Sequence, residues 1–243
     1  ARAGLPDTGL ITVTEMLDQG RQICDAVSIP VIGDGDTGHG NAANVQRTMH
    51  QFKQAGFAGI MLEDQVSPKR CGHTGVKEVV ARDVAIQRIS AAVEARRQGA
   101  DLVIVARTDA RSAFAQSYGE RGALDEALWR LKAFSDLGAD VLFLEAPRSE
   151  EEMLRFCNEV PGKRMANMLE GGVTPLLLPD HLGDMGFHLV AYPLTLLASA
   201  AFAMRQAVTD LQSGKTPERM LSFSELKALV NFDAYDDAVS KRI

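Results

Sequence analysis

Three carboxylates, Asp34, Asp36 and Glu63, an arginine, Arg107, and a cysteine, Cys71, set beside Lys69, Arg70 and His73, have types and spacing that can do chemistry. The carboxylates stand where apolar runs end, in "VIGDGD" and "IMLED", and Asp7, in the turn "GLPDTG", is available as a fourth. Clustered carboxylates repel unless a hard cation lies among them. Oxygen donors without thiolate or imidazole favour Mg²⁺, or Mn²⁺, over zinc.

Cys71 lies in "DQVSPKRCGHTG", a turn bounded by Gly and Pro rather than an apolar stretch suited to packing. Neighbouring cations lower a thiol pKa, so Cys71 suits a nucleophile or a general acid, against the plainer reading of an incidental surface residue. Cys24 and Cys157 fall in helical stretches and read as inert packing thiols. The planar fork of Arg107 suits a substrate carboxylate or a developing enolate oxygen. A metal, an arginine and a thiol around one mouth suit a reaction in which charge grows on oxygen and a carbanion is protonated. His39 reads as a solvated loop histidine, and Asp64 and Asp109 as helix N-caps.

The elements that position these residues show in a repeated joint. "QAGFAGIMLED", "RQGADLVIVARTD", "DLGADVLFLEA" and "DMGFHLVAYPL" each carry a helix-ending glycine, a short link and an apolar run. "SIPVIGDGD" and "KRMANMLE" add two more runs of strand-like length, for six strands in all. Between them Val45, Met49 and Phe52, then Ile86, Ile89 and Val93, then Leu124, Leu128, Leu131 and Phe134 recur at helical spacing. Apolar strands joined by helices imply a parallel sheet. The strands end in Asp34 to Asp36, Glu63–Asp64, Arg107 to Asp109, Glu145, Asn167 and Tyr192. A barrel gathers all such ends at one mouth, whereas an open sheet gathers only those beside its switch point.

The fold expected is therefore a (β/α)8 TIM-type barrel, its first two strands lying in a preceding segment of about 40 to 60 residues. The chain reads as one catalytic domain over 1–243, and the helical material at 215–243 exceeds what eight units need.

With 243 residues, 46% of them hydrophobic, the chain can bury one sizeable core. Its net charge of −6 and scattered basic residues lack the footprint of a nucleic-acid binder. Three cysteines without a CxxC pattern speak against a disulfide framework or zinc site and fit a reducing cytoplasm. The longest apolar run, Leu189 to Met204, falls short of a membrane span.

Taken together, "GLPDTG", "GDGDTG", "LEDQVSPKRCGH", "VARTDAR", "FLEAP" and "NMLEGGVTP" resemble the isocitrate lyase and phosphoenolpyruvate mutase superfamily, in the branch of methylisocitrate lyase, dimethylmalate lyase and the petal death protein. The resemblance implies a barrel homotetramer that exchanges C-terminal helices, and Mg²⁺ held by Asp34, Asp36, Glu63 and, through water, Asp7. It implies catalytic roles for Cys71, as general acid, Arg107 and Glu145. It further implies substrate contacts from Gly72, His73, Arg107, Glu145, Asn167, Glu170 and Thr195. The implied activity is Mg-dependent cleavage of a 2-substituted malate. The alternatives on this scaffold are a carboxyphosphonoenolpyruvate phosphonomutase and an oxaloacetate hydrolase.

Overall fold

The structure, a computed structural model, describes residues 2–69 and 77–241. The chain divides into two compact units, Ala1–Pro193 and Leu194–Ile243. In the first unit strands and helices alternate: α1 (Val13–Ala26), β1 (Ile32–Asp34), α2 (Ala42–Gln54), β2 (Gly59–Glu63), α3 (Arg82–Arg97), β3 (Val103–Thr108), α4 (Ala110–Ala113) and α5 (Ala115–Leu137). They continue as β4 (Val141–Leu144), α6 (Glu150–Glu159), β5 (Lys163–Asn167), α7 (Pro179–Met185) and β6 (Leu189–Ala191). Every neighbouring strand pair is parallel, and the six lie in sequence order, as consecutive staves of a (β/α)8-type barrel.

Local sequence explains the alternation. Asn41 opens α2 by accepting from the backbone N–H groups of Ala43 and Asn44. The glycine joints close helices as expected: Gly138 ends α5 at φ 102° and Gly186 ends α7 at φ 103°, a left-handed region that β-carbon-bearing residues avoid.

Side-chain alternation along the strands sorts the sheet into two faces. Ile60, Leu62, Ile104, Ala106, Leu142 and Leu144 face the helices and pack with Val45, Met49, Phe52, Ile89, Leu124, Leu128, Leu131 and Phe134. Val105, Val141 and Phe143 form a smaller cluster on the opposite face, with Met61 and Met165 against it. Full burial of residues such as Phe52, Phe134 and Phe143 is worth roughly 1.5–3 kcal/mol each.

The second unit holds α8 (Thr195–Gln212), α9 (Phe223–Leu229) and α10 (Phe232–Ser240). The reciprocal bonds of Ser222 and Glu225 start α9. None of the residues of these helices is buried, and Leu196, Phe223 and Leu229 are strongly exposed. Among the described residues, no helix is long and apolar enough to cross a membrane.

Candidate active site

The inner face of the sheet turns from apolar to charged within two residues. In β2 Met61 is followed at the next inward position by Glu63, and in β3 Val105 by Arg107; Glu145 stands two residues beyond Phe143 of β4, and Asn167 two beyond Met165 of β5. Register aligns these steps, Glu63 with Arg107 and Arg107 with Phe143. The apolar residues floor the barrel, and the charged ones form a layer at the C-terminal ends of the strands, the end at which such barrels hold their active sites.

Arg107 ties the layer together. Its Nε lies 2.9 Å from Asp109 Oδ2 and 3.2 Å from Glu63 Oε2, and its Nη2 lies 3.0 Å from Asp109 Oδ1 and 3.6 Å from Glu145 Oε1. Burial opposes the guanidinium charge, but Asp109, Glu145 and Glu63 hold its pKa well above the ordinary value. Asp109 shows the mirror effect: burial would raise its pKa, yet Arg107 and Lys77 draw it below the usual carboxylate range. Glu63, buried and with no hydrogen-bond donor to either oxygen among the described residues, is pushed up to about 8 by burial, against the pull of Arg107.

A second cluster forms beside it at the exit of β1. Asp36 N–H donates to Asp34 Oδ1 at 3.0 Å, and Glu63 N–H donates to Asp36 O at 2.9 Å, which clips the turn to the end of β2. Gly35 permits this, since a β-carbon there would stand 2.8 Å from Met61 O. Lys69 Nζ gathers the carboxylates, lying 2.5 Å from Asp36, 3.1 Å from Asp7 and 3.5 Å from Asp34. Burial disfavours that ammonium, but Asp34, Asp36 and Glu63 raise its pKa above the lysine range. Burial and then Asp34 raise Asp36.

Among the described residues no three acidic, histidine or cysteine groups converge as metal ligands; the aspartates converge on Lys69. The donors around that ammonium are carboxylate oxygens only, and Glu63 is buried without a hydrogen-bond donor among the described residues, a donor chemistry of the kind that suits a hard cation.

Asp7, Asp34 and Asp36 are thus brought together, and Glu63 joins Arg107 and Glu145. Asn167 ends β5, Glu170 is exposed in the turn beyond it, and Thr195 opens α8 in the second unit. Cys71, Gly72 and His73 lie outside the described residues.

Three expectations need correction. Asp109 precedes α4 but makes no side-chain cap; the buried Lys77 and the partly buried Arg107 outcompete the backbone N–H groups for its oxygens. Asp64 caps no helix either: it accepts from Asp109 N–H at 2.9 Å, from Thr108 Oγ1 at 2.6 Å and from Arg130 Nη1 at 3.0 Å, which locks the end of β3. His39 is half-buried at φ 59°, and burial lowers its pKa, so it is not a freely solvated loop residue. Lys77, which sequence reasoning missed, is 3% exposed and pairs with Asp109. Nothing local in the sequence marks it, because its partner lies 32 residues away.

Parallel βα strands with carboxylates, an arginine and a buried lysine at their C-terminal ends have the arrangement in which barrel enzymes hold their active sites. The phosphoenolpyruvate phosphomutase family matches residues 1–212. The 2,3-dimethylmalate lyase of Eubacterium barkeri is 42% identical over 95% of this chain and 78% of its own length. The chloroplastic carboxyvinyl-carboxyphosphonate phosphorylmutase of Arabidopsis thaliana is 41% identical over 96% of this chain and 68% of its own. The crystal structure of a 2,3-dimethylmalate lyase, a PEP mutase/isocitrate lyase superfamily member, superposes with a TM-score of 0.88 at 34% identity, covering 100% of this chain and 79% of that one. The chain belongs to the phosphoenolpyruvate phosphomutase family. With its lyase relatives, it is a carbon–carbon lyase.

Proposed function

We propose that the enzyme cleaves a 2-substituted malate, of the 2,3-dimethylmalate or 2-methylisocitrate type, between C2 and C3 to give a 2-oxo acid and a carboxylic acid. One observation carries this reading: Asp7, Asp34 and Asp36 gather around a single positive charge, Lys69 Nζ, beside a layer in which Arg107 lies 3.2 Å from Glu63. Asp34, Asp36 and Glu63, with Asp7 through water, would hold Mg²⁺ or Mn²⁺, which would supply positive charge for the substrate's hydroxyl and the carboxylate next to it.

The residues of the chain divide the remaining work. Arg107 offers a fixed cation to the charge that grows on oxygen, while Glu145 and Asn167 orient the substrate at neighbouring strand ends. As the hydroxyl gives its proton to a general base, its oxygen forms a double bond to C2, the C2–C3 bond breaks, and the electron pair passes to C3 and its carboxylate. The Cys71 thiol gives its proton to C3 as general acid and is left as a thiolate, which Arg70 and His73, its neighbours in sequence, favour. Gly72, His73 and Glu170 would add further substrate contacts.

Gly171–Gly172 after Glu170 resembles the dimethylmalate branch, and Pro193 speaks against an oxaloacetate hydrolase. The phosphorylmutase relative favours a second reading, a phosphonomutase, but moving phosphorus creates no carbanion that needs a thiol acid. We also place the enzyme in the cytoplasm as a homotetramer, a reading supported by its unpatterned cysteines and by the exposed apolar side chains of α8 and α9.

Cys71→Ser tests the assignment. Turnover should fall by about 10² to 10⁴ with oxo-acid affinity little changed. In D₂O the wild type should place one deuterium on the carboxylic acid product with a single stereochemistry. Normal turnover by the serine variant, or a covalent adduct on Cys71 during turnover, contradicts a general acid.

A further inference from the structure

Lys77 and Arg107 grip the same two oxygens. Lys77 Nζ contacts Asp109 Oδ1 and lies 3.8 Å from Glu145 Oε1, and Arg107 Nη2 lies 3.0 Å and 3.6 Å from those same atoms. Lys77 and Asp109 are both almost fully buried. Neither is held loosely. Val66 N–H donates to Glu78 O and Val80 N–H to Asp64 O, both at 2.9 Å, and the backbone of Gln65 bridges Val79, so the stretch after Lys77 is laced to the exit of β2. Asp109 N–H is fixed by Asp64, which Arg130 holds in turn.

A buried lysine with its charge intact is costly unless it is matched, and here its match is a carboxylate already chelated by Arg107. Among the described residues, Lys77 and Arg107 share two carboxylates, Asp109 and Glu145. Without Lys77, both would draw more strongly on Arg107. Its fork would be drawn into Asp109 and Glu145, and less of its charge would remain for an oxyanion in the transition state.

We propose that Lys77 is a positioning residue for Arg107: by holding Asp109 Oδ1 and Glu145 Oε1 from the other side, it sets the angle of the guanidinium and keeps its charge available to the substrate. This rests on the role given to Arg107 above. Lys77 is not a catalytic residue, since it acts only through these carboxylates.

The test uses full-chain enzyme with Mg²⁺ and 2,3-dimethylmalate, and the variants Lys77→Met, Arg107→Gln and the two combined. Lys77→Met should lower kcat about 10- to 100-fold with KM within about threefold, the pattern of an interaction made in the transition state. In the Arg107→Gln background the same change should cost less than about threefold, because its effect passes through Arg107. Equal losses in both backgrounds, or a loss confined to KM, overturn the proposal. An Arg107→Gln enzyme with normal turnover instead overturns the role of Arg107. A readout that needs no turnover is the ¹⁵N signal of Arg107 Nε, assigned by its disappearance in Arg107→Gln. It should move in Lys77→Met, and an unmoved signal refutes positioning even for an enzyme that leaves 2,3-dimethylmalate intact.

Discussion

Lys69 Nζ lies 2.5 Å from Asp36 Oδ1, and the same ammonium reaches Asp7 and Asp34. A lysine and the carboxylates proposed to hold Mg²⁺ therefore share one point in space. Lys69→Met removes the cation and leaves the aspartates repelling one another. In EDTA the variant should lose about 1–3 kcal/mol, a moderate figure because Asp7 and Asp34 are well exposed. Added Mg²⁺ should raise its melting temperature more than that of the wild type, since a ligand stabilises by its affinity for the folded state. Asp36→Ala should lose both turnover and the Mg²⁺-dependent rise. Equal shifts in wild type and Lys69→Met would count against a shared site, and full activity in EDTA would remove the metal from the account.

Glu63 should make stability fall with rising pH. Its pKa is raised from 4.5 to about 8, mainly by burial. Between those values the folded chain keeps a proton that the unfolded chain has released, so unfolding becomes easier as pH rises through the window and levels off above it. Glu63→Gln removes the titration. In EDTA, the melting temperature of the variant minus that of the wild type should climb from about pH 5 to about pH 8.5. Parallel curves would refute the buried, proton-holding carboxylate.

The second unit carries the prediction about assembly. α8, α9 and α10 have no buried residue, and Leu196 and Phe223 are 83% and 78% exposed. Apolar faces of this kind mark interaction surfaces. Light scattering at micromolar concentration should give a tetramer, and deletion of residues 215–243 should lower its order or solubility. A soluble wild-type monomer would contradict this.

The strands and their polar exits were legible because both signals are local. An apolar run of strand length followed by Glu63, Arg107 or Asn167 sits within a few residues, and the glycine joints at Gly138 and Gly186 punctuate it. Burial of Val45, Met49 and Phe52 on one side of α2 followed from spacing alone. What escaped was the pairing of charges across strands. Lys77 meets Asp109 over 32 residues and Arg130 meets Asp64 over 66, so no window of sequence contains either pair. Asp109 looked like a helix cap because α4 does follow it, but ionised partners bind a carboxylate more strongly than neutral N–H groups do. Lys69 was read only as a neighbour of Cys71, although its ammonium lies among the aspartates.

The most direct test is the product of one reaction. Full-chain enzyme, Mg²⁺ and 2,3-dimethylmalate should yield pyruvate and propionate in equal amounts, since breaking C2–C3 leaves the hydroxyl carbon with its methyl as the oxo acid and the other half as the acid. Asp36→Ala and Arg107→Gln should each suppress both products together. An enzyme that leaves this substrate and 2-methylisocitrate intact, yet rearranges a phosphonate or hydrolyses oxaloacetate, would contradict the cleavage proposed.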